Sequence, residues 1–366
     1  MLNRLYEVLI SMAIVAVLFL LVGVFLPSSR TIVEQVETNR HRTIVFDTLN
    51  GFKRFTHWNP LVLHDPEVKI KVSGPEAGVG ARLEYSSQKK DVGNGSWEIT
   101  QSEPDNRVVY ALDNRARGSN KTMEFSLKTT GNRGRNIEIT QKYNVEYGWD
   151  LLGRYSGLYV RSTVGEDMKI GLSRLAGILA SVPNVDYRVE GSKLRDMTVA
   201  ERPAENLLVV FAGAVERNNL KIQESMKANT EWIKRVMEAN GLVAAGPMRI
   251  VTAELGREAY TFDVAMPVRK RGSGEDDSAA AADDGELKVE IPSGAPVQYV
   301  RTEPGRVAMA KYTGYMAELE NVRNALRAWA MTQGLEIAGR PYENYLSGIE
   351  QSFTENGEYE VFWPIK

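Results

Sequence analysis

The sequence predicts an α+β protein: an N-terminal transmembrane helix followed by two soluble units that each combine antiparallel strands with helices. Three observations predict it. The chain opens on an uncharged apolar run, continues as a meander of short alternating strands closed by one long amphipathic stripe, and ends in an internally repeated pattern. At 366 residues it is long for one domain and sufficient for two that each bury a core.

The opening run, "VLISMAIVAVLFLLVGVFL" at 8–26, carries no charge. At about 1.5 Å per residue it covers nearly the ~30 Å of a bilayer's hydrocarbon core. It exceeds the apolar stretch of a cleaved signal peptide, and only "LPSSR" follows rather than an A-x-A-like site, so an uncleaved anchor over 1–29 is expected, with a signal peptide as the rival. Arg4 and the amino terminus, set against Arg30, Arg40 and Arg42 mixed with Glu34 and Glu37, favour N-inside, with the soluble units on the extracytoplasmic (periplasmic) side.

The remaining composition excludes more than it asserts. The net charge is −2 and no basic block with interleaved aromatics occurs, so nucleic acid is not an expected partner. Cysteine is absent, which removes disulfides, thiolate metal sites and cysteine nucleophiles while leaving the compartment open.

In the first unit, 30–182, the runs "EVKIKVSG", "VGARLEYSS", "GSWEITQS", "RVVYALDN", "KTMEFSLKTT" and "NIEITQKYNV" alternate as strands. Polar turns such as "DVGNG" and "GNRGR" separate them. From about Leu158 to Leu179, Val164, Met168, Leu172, Leu175 and Leu179 recur every three or four residues, giving a long helix one apolar stripe to lay on the sheet. A curved sheet wrapped on such a helix leaves room for a cavity. Trp58 and Trp97 are candidates either to line it or to fill the core. His57, His64 and Asp65 in "HWNPLVLHD" fit no standard ligand spacing, so no metal is expected. "GVG" at 78–80 precedes a strand rather than a helix and reads as a turn, not a phosphate cradle.

The strings "LPSSRTIVEQVETN", "HWNP", "SGPEAGVGARLEY", "VGNGSWEIT" and "GLYVRSTVGEDMKIGLSRL" resemble the SRPBCC superfamily, the polyketide cyclase and START-like helix-grip proteins. The resemblance covers nearly the whole unit and implies a hydrophobic pocket for a small apolar molecule, with no universal catalytic residue. Tyr85 stands where the similar subgroup usually carries tryptophan, which bears on pocket shape.

"SVPNVDYRVEGSK", 181–193, is the expected junction. Beyond it, over 190–366, "EWIKRVMEANGLVAAGPMRIV" is echoed by "NALRAWAMTQGLEIAGRPYENYL", and "YTFDVAMPV" by "YEVFWPI". Each copy reads strand, amphipathic helix, strand, strand, so two βαββ halves related by duplication are expected. In the second copy Leu319, Val322, Leu326 and Trp329 form the helical stripe. The acidic, alanine-rich "RKRGSGEDDSAAAADDGE" between the halves has nothing to bury and reads as a mobile insertion, 269–287.

"GPMRIV", "FDVAMPV", "AKYTGYMAEL", "GLEIAGRPYENYL" and "VFWPI" together resemble the GyrI-like or AraC effector-binding family. That resemblance implies a cleft with aromatic walls and one acid for hydrophobic or cationic ligands. It carries the acid onto Glu343 and the tyrosine onto Tyr345, with Tyr342 in place of the usual tryptophan; Tyr312 and Tyr315 match a Y-x-G-Y element. In an extended run Glu343 and Tyr345 share one face and Tyr342 the other. Aligning the copies sets Arg249 opposite Glu343, so the site is one-sided. A buried carboxylate must find a cation, accept hydrogen bonds or hold a proton. The simplest alternative is an exposed Glu343 paired with Arg340 or Lys311.

The expected function is membrane-anchored binding of a small hydrophobic or cationic molecule, without a cofactor. One alternative is a hydrolase or isomerase using Glu343, assisted by Tyr345, as general acid or base. Another is a scaffold for a protein partner.

Overall fold

The computed structural model describes residues 2–189, 193–272 and 285–366 and divides into two compact units, Met1–Asn184 and Val185–Lys366. Residues 273–284, most of the expected insertion, and 190–192 of the expected junction lie outside the described residues.

Unit 1 begins with helix α1, Leu2–Phe25, whose apolar stretch Tyr6–Phe25 is long and apolar enough to cross a bilayer. Strand β1 (Ser29–Thr38) and the short helices α2 (Arg42–Leu49), α3 (Phe55–Trp58) and α4 (Leu61–His64) follow. The meander is β2 (Lys69–Ser73), β3 (Arg82–Ser86), β4 (Asn94–Glu103), β5 (Arg107–Asn114), β6 (Ser119–Thr130) and β7 (Asn136–Glu146). Helices α5 (Leu151–Ser156) and α6 (Val160–Ser181) complete the unit.

The seven strands form one antiparallel sheet in the order β1-β7-β6-β5-β4-β3-β2. Strand β1 was not among the runs that sequence alternation picks out, because neither of its faces is fully buried. It pairs with β7 from Ser29↔Glu146 to Thr38↔Ile137. Helix α6 buries Met168, Leu172, Leu175 and Leu179, the stripe the 3.6-residue period requires. A register shift in β4 between Ile99 and Gln101 bends the sheet around it. Phe52, Phe55, Trp58, Trp97, Tyr110 and Phe125 pack edge to face inside, with centroids 5.2 to 5.9 Å apart, the geometry ring quadrupoles favour.

Unit 2 runs β8 (Leu194–Arg202), β9 (Asn206–Glu216), α7 (Asn219–Ala239), β10 (Leu242–Ala244), β11 (Arg249–Leu255), β12 (Ala259–Lys270) and β13 (Val297–Arg301). It continues with β14 (Gly305–Thr313), α8 (Leu319–Thr332), β15 (Tyr342–Tyr345), α9 (Gly348–Ser352) and β16 (Glu358–Ile365). The sheet order is β13-β9-β12-β11-β15-β16-β14-β8, with β10 pairing β12.

Asn218 starts α7, its side-chain oxygen accepting from the Leu220 and Lys221 amides, as an N-cap does. Ile222, Met226 and Ile233 of α7 and Leu319, Val322 and Leu326 of α8 join one core with Ile250, Phe262, Val264 and Val361 of the sheet. Pairing of Ile250 with Glu343, and of Glu343 with Val361, puts Glu343 on this helix-covered face, since residues directly opposite point the same way. Arg249, the sequence counterpart of Glu343, pairs with Asn344 and therefore faces the other side.

Candidate functional site

Between α6, α3, α4 and the inner face of the unit 1 sheet lies a cavity of about 160 Å³ walled by Trp58, Tyr85, Trp97, Met123, Tyr143 and Met168. Each strand contributes by alternation. On β7, Ile137, Ile139, Gln141, Tyr143 and Val145 all point inward and are buried, so Gln141 is the polar break in an apolar row. Gly171 of α6 also lines the cavity; its missing side chain keeps the helix close to Pro60, 3.4 Å from where a Cβ would stand.

Two of the side chains that line this cavity carry buried polar atoms without a hydrogen-bond partner among the described residues. The Gln141 amide nitrogen donates to the Met123 sulfur at 3.2 Å, a weak acceptor, while its Oε1 has no hydrogen-bond partner among the described residues. The Trp58 indole N–H is likewise buried without an acceptor. Burial, and after it Tyr147, raises the Tyr143 phenol's pKa, and burial, then Asp113, raises that of Tyr85, so both remain protonated at neutral pH. Asn114, another lining residue, accepts from the Lys121 ammonium through Oδ1 at 2.9 Å and through its carbonyl at 3.1 Å. Burial lowers the Lys121 pKa, with Asp113 opposing. His64 lines the cavity beside Asp167, Nε2 to Oδ1 2.8 Å. Asp65 is taken up by the Ser87 hydroxyl and the Glu67 amide. Among the described residues no group of three or more histidine or acidic side chains converges as a metal site would require.

In unit 2 Glu343 is fully buried, at 0% exposure. Its cation comes from the chain itself: Arg323 Nε lies 2.5 Å from Oε1 and Nη2 3.2 Å from Oε2. Arg323 Nη2 also donates to Tyr260 Oη at 3.1 Å, and Tyr260 Oη meets Thr252 Oγ1 at 2.8 Å. Burial works against the guanidinium's charge, but Glu343 and Tyr260 outweigh it and hold the Arg323 pKa above its ordinary value. The simpler partners are engaged elsewhere, Arg340 with Asp263 and Lys311 with Asp196.

The five expected site residues are thus distributed. Glu343 and Tyr345 share the buried face. Burial first, then Tyr260 and Glu343, push the Tyr345 phenol well above its ordinary range, and its hydroxyl has no hydrogen-bond partner among the described residues. Tyr345 meets Tyr359 edge-on at 5.0 Å, and Tyr359 stacks on Tyr312 at 5.8 Å. Tyr312 in turn lines a separate recess of about 330 Å³ with Glu318, Asn321, Val322, Lys193 and Glu355. Tyr315 accepts a hydrogen bond from Asn219 at the start of α7. Tyr342 does not join Glu343. It stacks on Phe362 at 4.8 Å on the opposite face, under Arg249 at 4.5 Å, while Arg249 forks onto Glu205 at 2.9 and 3.1 Å.

Sequence reasoning passed over Arg323, Tyr260 and Gln141. Arg323 stands four residues after Leu319 and three before Leu326, inside the apolar stripe of α8, where a charge signals a buried partner. Gln141 breaks a period-two apolar row in the same manner.

No family model and no curated protein matches the chain. Among solved structures it is similar to the C-terminal domain of EcmrR, at 15% identity and TM-score 0.35 over 47% of this chain and 97% of that one. It is also similar to truncated norcoclaurine synthase from Thalictrum flavum, at 9% identity and TM-score 0.33 over 41% of this chain and 93% of that one. Protein Ms6760 from Mycobacterium smegmatis is similar at 16% identity and TM-score 0.30 over 41% and 91% of the two chains. These likenesses are faint and carry no argument about activity.

Proposed function

We propose that the protein is a membrane-anchored small-molecule-binding protein whose open site is the unit 1 cavity, unit 1 being a helix-grip domain and unit 2 a GyrI-like domain of duplicated βαββ pattern. The observation that carries the reading is a hollow of about 160 Å³ lined by Gln141 and Trp58, each with a buried polar atom that finds no hydrogen-bond partner among the described residues. Leaving such atoms unpaired costs about 1–3 kcal/mol each, and a guest that pairs them recovers it. A cavity of about 150 Å³ accommodates benzene in other proteins, so the guest, or the part of it that enters, is one aromatic ring. Turned toward the hollow, Gln141 Oε1 would accept from a hydroxyl on that ring, as phenol carries.

Calorimetric titration of the full chain in detergent with phenol and with toluene tests this. Phenol is expected to bind more tightly, and Gln141→Leu to weaken phenol by about tenfold while sparing toluene. Equal affinity for the two ligands in both proteins, or no binding of either, sinks the reading.

A second reading rests on the recess beside Tyr312, lined by Glu318 and Glu355; Glu355 pairs with Lys193 at 2.8 Å and Glu318 accepts from Asn321 at 3.0 Å, so Glu318 is the carboxylate left to meet a cationic ligand beside a ring. Benzyltrimethylammonium binding that is lost in Glu318→Gln/Glu355→Gln supports it. The enzyme alternative draws no support from Glu343, because its carboxylate already holds a guanidinium and is fully buried.

A further inference from the structure

The segment after β7 carries large side chains that the core does not use. Trp149 is 82% exposed, Tyr159 67%, Leu152 52% and Leu158 50%. Single exposed apolar residues need no explanation, but a run of them marks an interaction surface. Its position decides which kind.

Helix α5 lies beside the last turns of α1. Gly23 makes the approach possible, since a Cβ there would stand 3.2 Å from the Tyr155 ring and 3.3 Å from Leu151 Cβ. The Tyr155 ring stacks on Phe19 at 4.2 Å, and its hydroxyl donates to the Phe19 carbonyl at 2.7 Å. Arg154 donates to the carbonyls of Val24 at 2.7 Å and Leu26 at 3.2 Å, covering acceptors that end the helix. Phe19 stands roughly 9 Å back along the axis from Phe25, at about 1.5 Å per residue. The 20 residues Tyr6–Phe25 give about 30 Å, the full thickness of the hydrocarbon core. If α1 crosses it, Arg154 on the Val24 and Leu26 carbonyls stands at the membrane's edge and Tyr155, on Phe19, reaches below it.

We propose that Trp149, Leu152, Leu158 and Tyr159 form an interfacial collar seating unit 1 on bilayer lipid at the C-terminal end of α1, an inference that rests on the membrane-anchored reading. The side chains suit that place: tryptophan and tyrosine settle at membrane–water interfaces, where the ring is buried and the polar tip stays wet. The segment's charges are already engaged. Arg154 is satisfied by carbonyls and lies 5.4 Å from the Trp149 ring. Asp150 accepts from the Gly153 amide at 3.0 Å and from Arg117 at 3.1 Å. A protein partner or a second copy on the same face would leave Trp149 in water in a dilute vesicle preparation.

The test uses the full chain in phosphatidylcholine vesicles, with and without lipids brominated near the carbonyl end of one acyl chain. Trp149 is the tryptophan of this segment; Trp58 and Trp97 are buried and Trp232, Trp329 and Trp363 belong to unit 2. Trp149 emission, read as wild type minus Trp149→Phe, is expected to fall by about half in brominated vesicles, with the variant unaffected. Adding Tyr159→Trp to that variant restores the quenching. Flotation in alkaline carbonate reads the anchor independently. Protein that floats with an unquenched Trp149 overturns the collar and leaves the anchor standing; protein that does not float overturns both.

Discussion

Gln141 in unit 1 and Glu343 in unit 2 occupy comparable places, each a polar interruption of an apolar row on the helix-covered face of an antiparallel sheet. Their surroundings differ. Gln141 borders a hollow and keeps an acceptor unpaired, whereas Glu343 is locked by Arg323, itself 6% exposed. A polar residue in a core therefore points to a ligand only where the chain fails to supply the partner. In unit 2 the residue that answers Glu343 comes from α8, on the same side of the sheet.

The largest expected effect breaks the closed member of the pair. Arg323→Leu strands a buried carboxylate and is expected to destabilise unit 2 by about 3–5 kcal/mol, read by denaturant unfolding of the full chain. Arg323→Leu/Glu343→Leu should recover most of that loss, because a buried ion pair itself contributes little net stability. A double variant as unstable as the single one would mean that the pair is not an isolated, self-cancelling unit.

Alkaline pH strains both units through phenols. Burial raises the pKa of Tyr110 in unit 1; in unit 2 burial raises that of Tyr260 against the opposing Arg323, and burial, then Tyr260 and Glu343, raise that of Tyr345. A group whose folded pKa exceeds its unfolded value contributes stability that is complete below the unfolded pKa, here about 10, and is lost as pH rises above it. Stability is expected to hold to about pH 9 and then to fall by up to about 1.4 kcal/mol per pH unit for each such tyrosine. Phenolate absorbance should show these rings ionising only as the chain unfolds. Their titration in the native state near pH 10 would contradict the burial on which the comparison rests.

The smallest effect sharpens the open member. Gln141→Leu removes an unpaired acceptor together with the amide's bond to the Met123 sulfur; the two effects oppose, so stability is expected to change by no more than about 1 kcal/mol, toward stabilisation, even as phenol binding weakens. A loss of several kcal/mol would show that Gln141 is a structural partner rather than a binding group.

The α+β class and the apolar N-terminal helix were legible because periodicity and length carry them. Strands β2–β7 alternate, and α6 repeats Met168, Leu172, Leu175 and Leu179 at helical spacing. Strand β1 was not legible: its partly covered faces follow from pairing at a sheet edge, a tertiary event. Local alternation placed Glu343 and Tyr345 together and Tyr342 apart. Which cation would answer Glu343 depended on how α8 lies across β15, and nearby Arg340 and Lys311 drew attention away from Arg323. In unit 1, Trp58 and Trp97 proved to be both core and cavity wall, a distinction that side-chain type alone does not make.

Only Leu26, Pro27 and Ser28 separate α1 from β1, and the Ser28 carbonyl is held by the Tyr147 and Gly148 amides. Three residues reach at most about 11 Å, so an anchored unit 1 has almost no leash. If α1 spans a bilayer, the search of unit 1 would be confined to a thin layer over the lipid, and compounds that partition into the bilayer would arrive at far higher local abundance than their aqueous concentration would give. Modest intrinsic affinity would then be enough to keep the cavity filled.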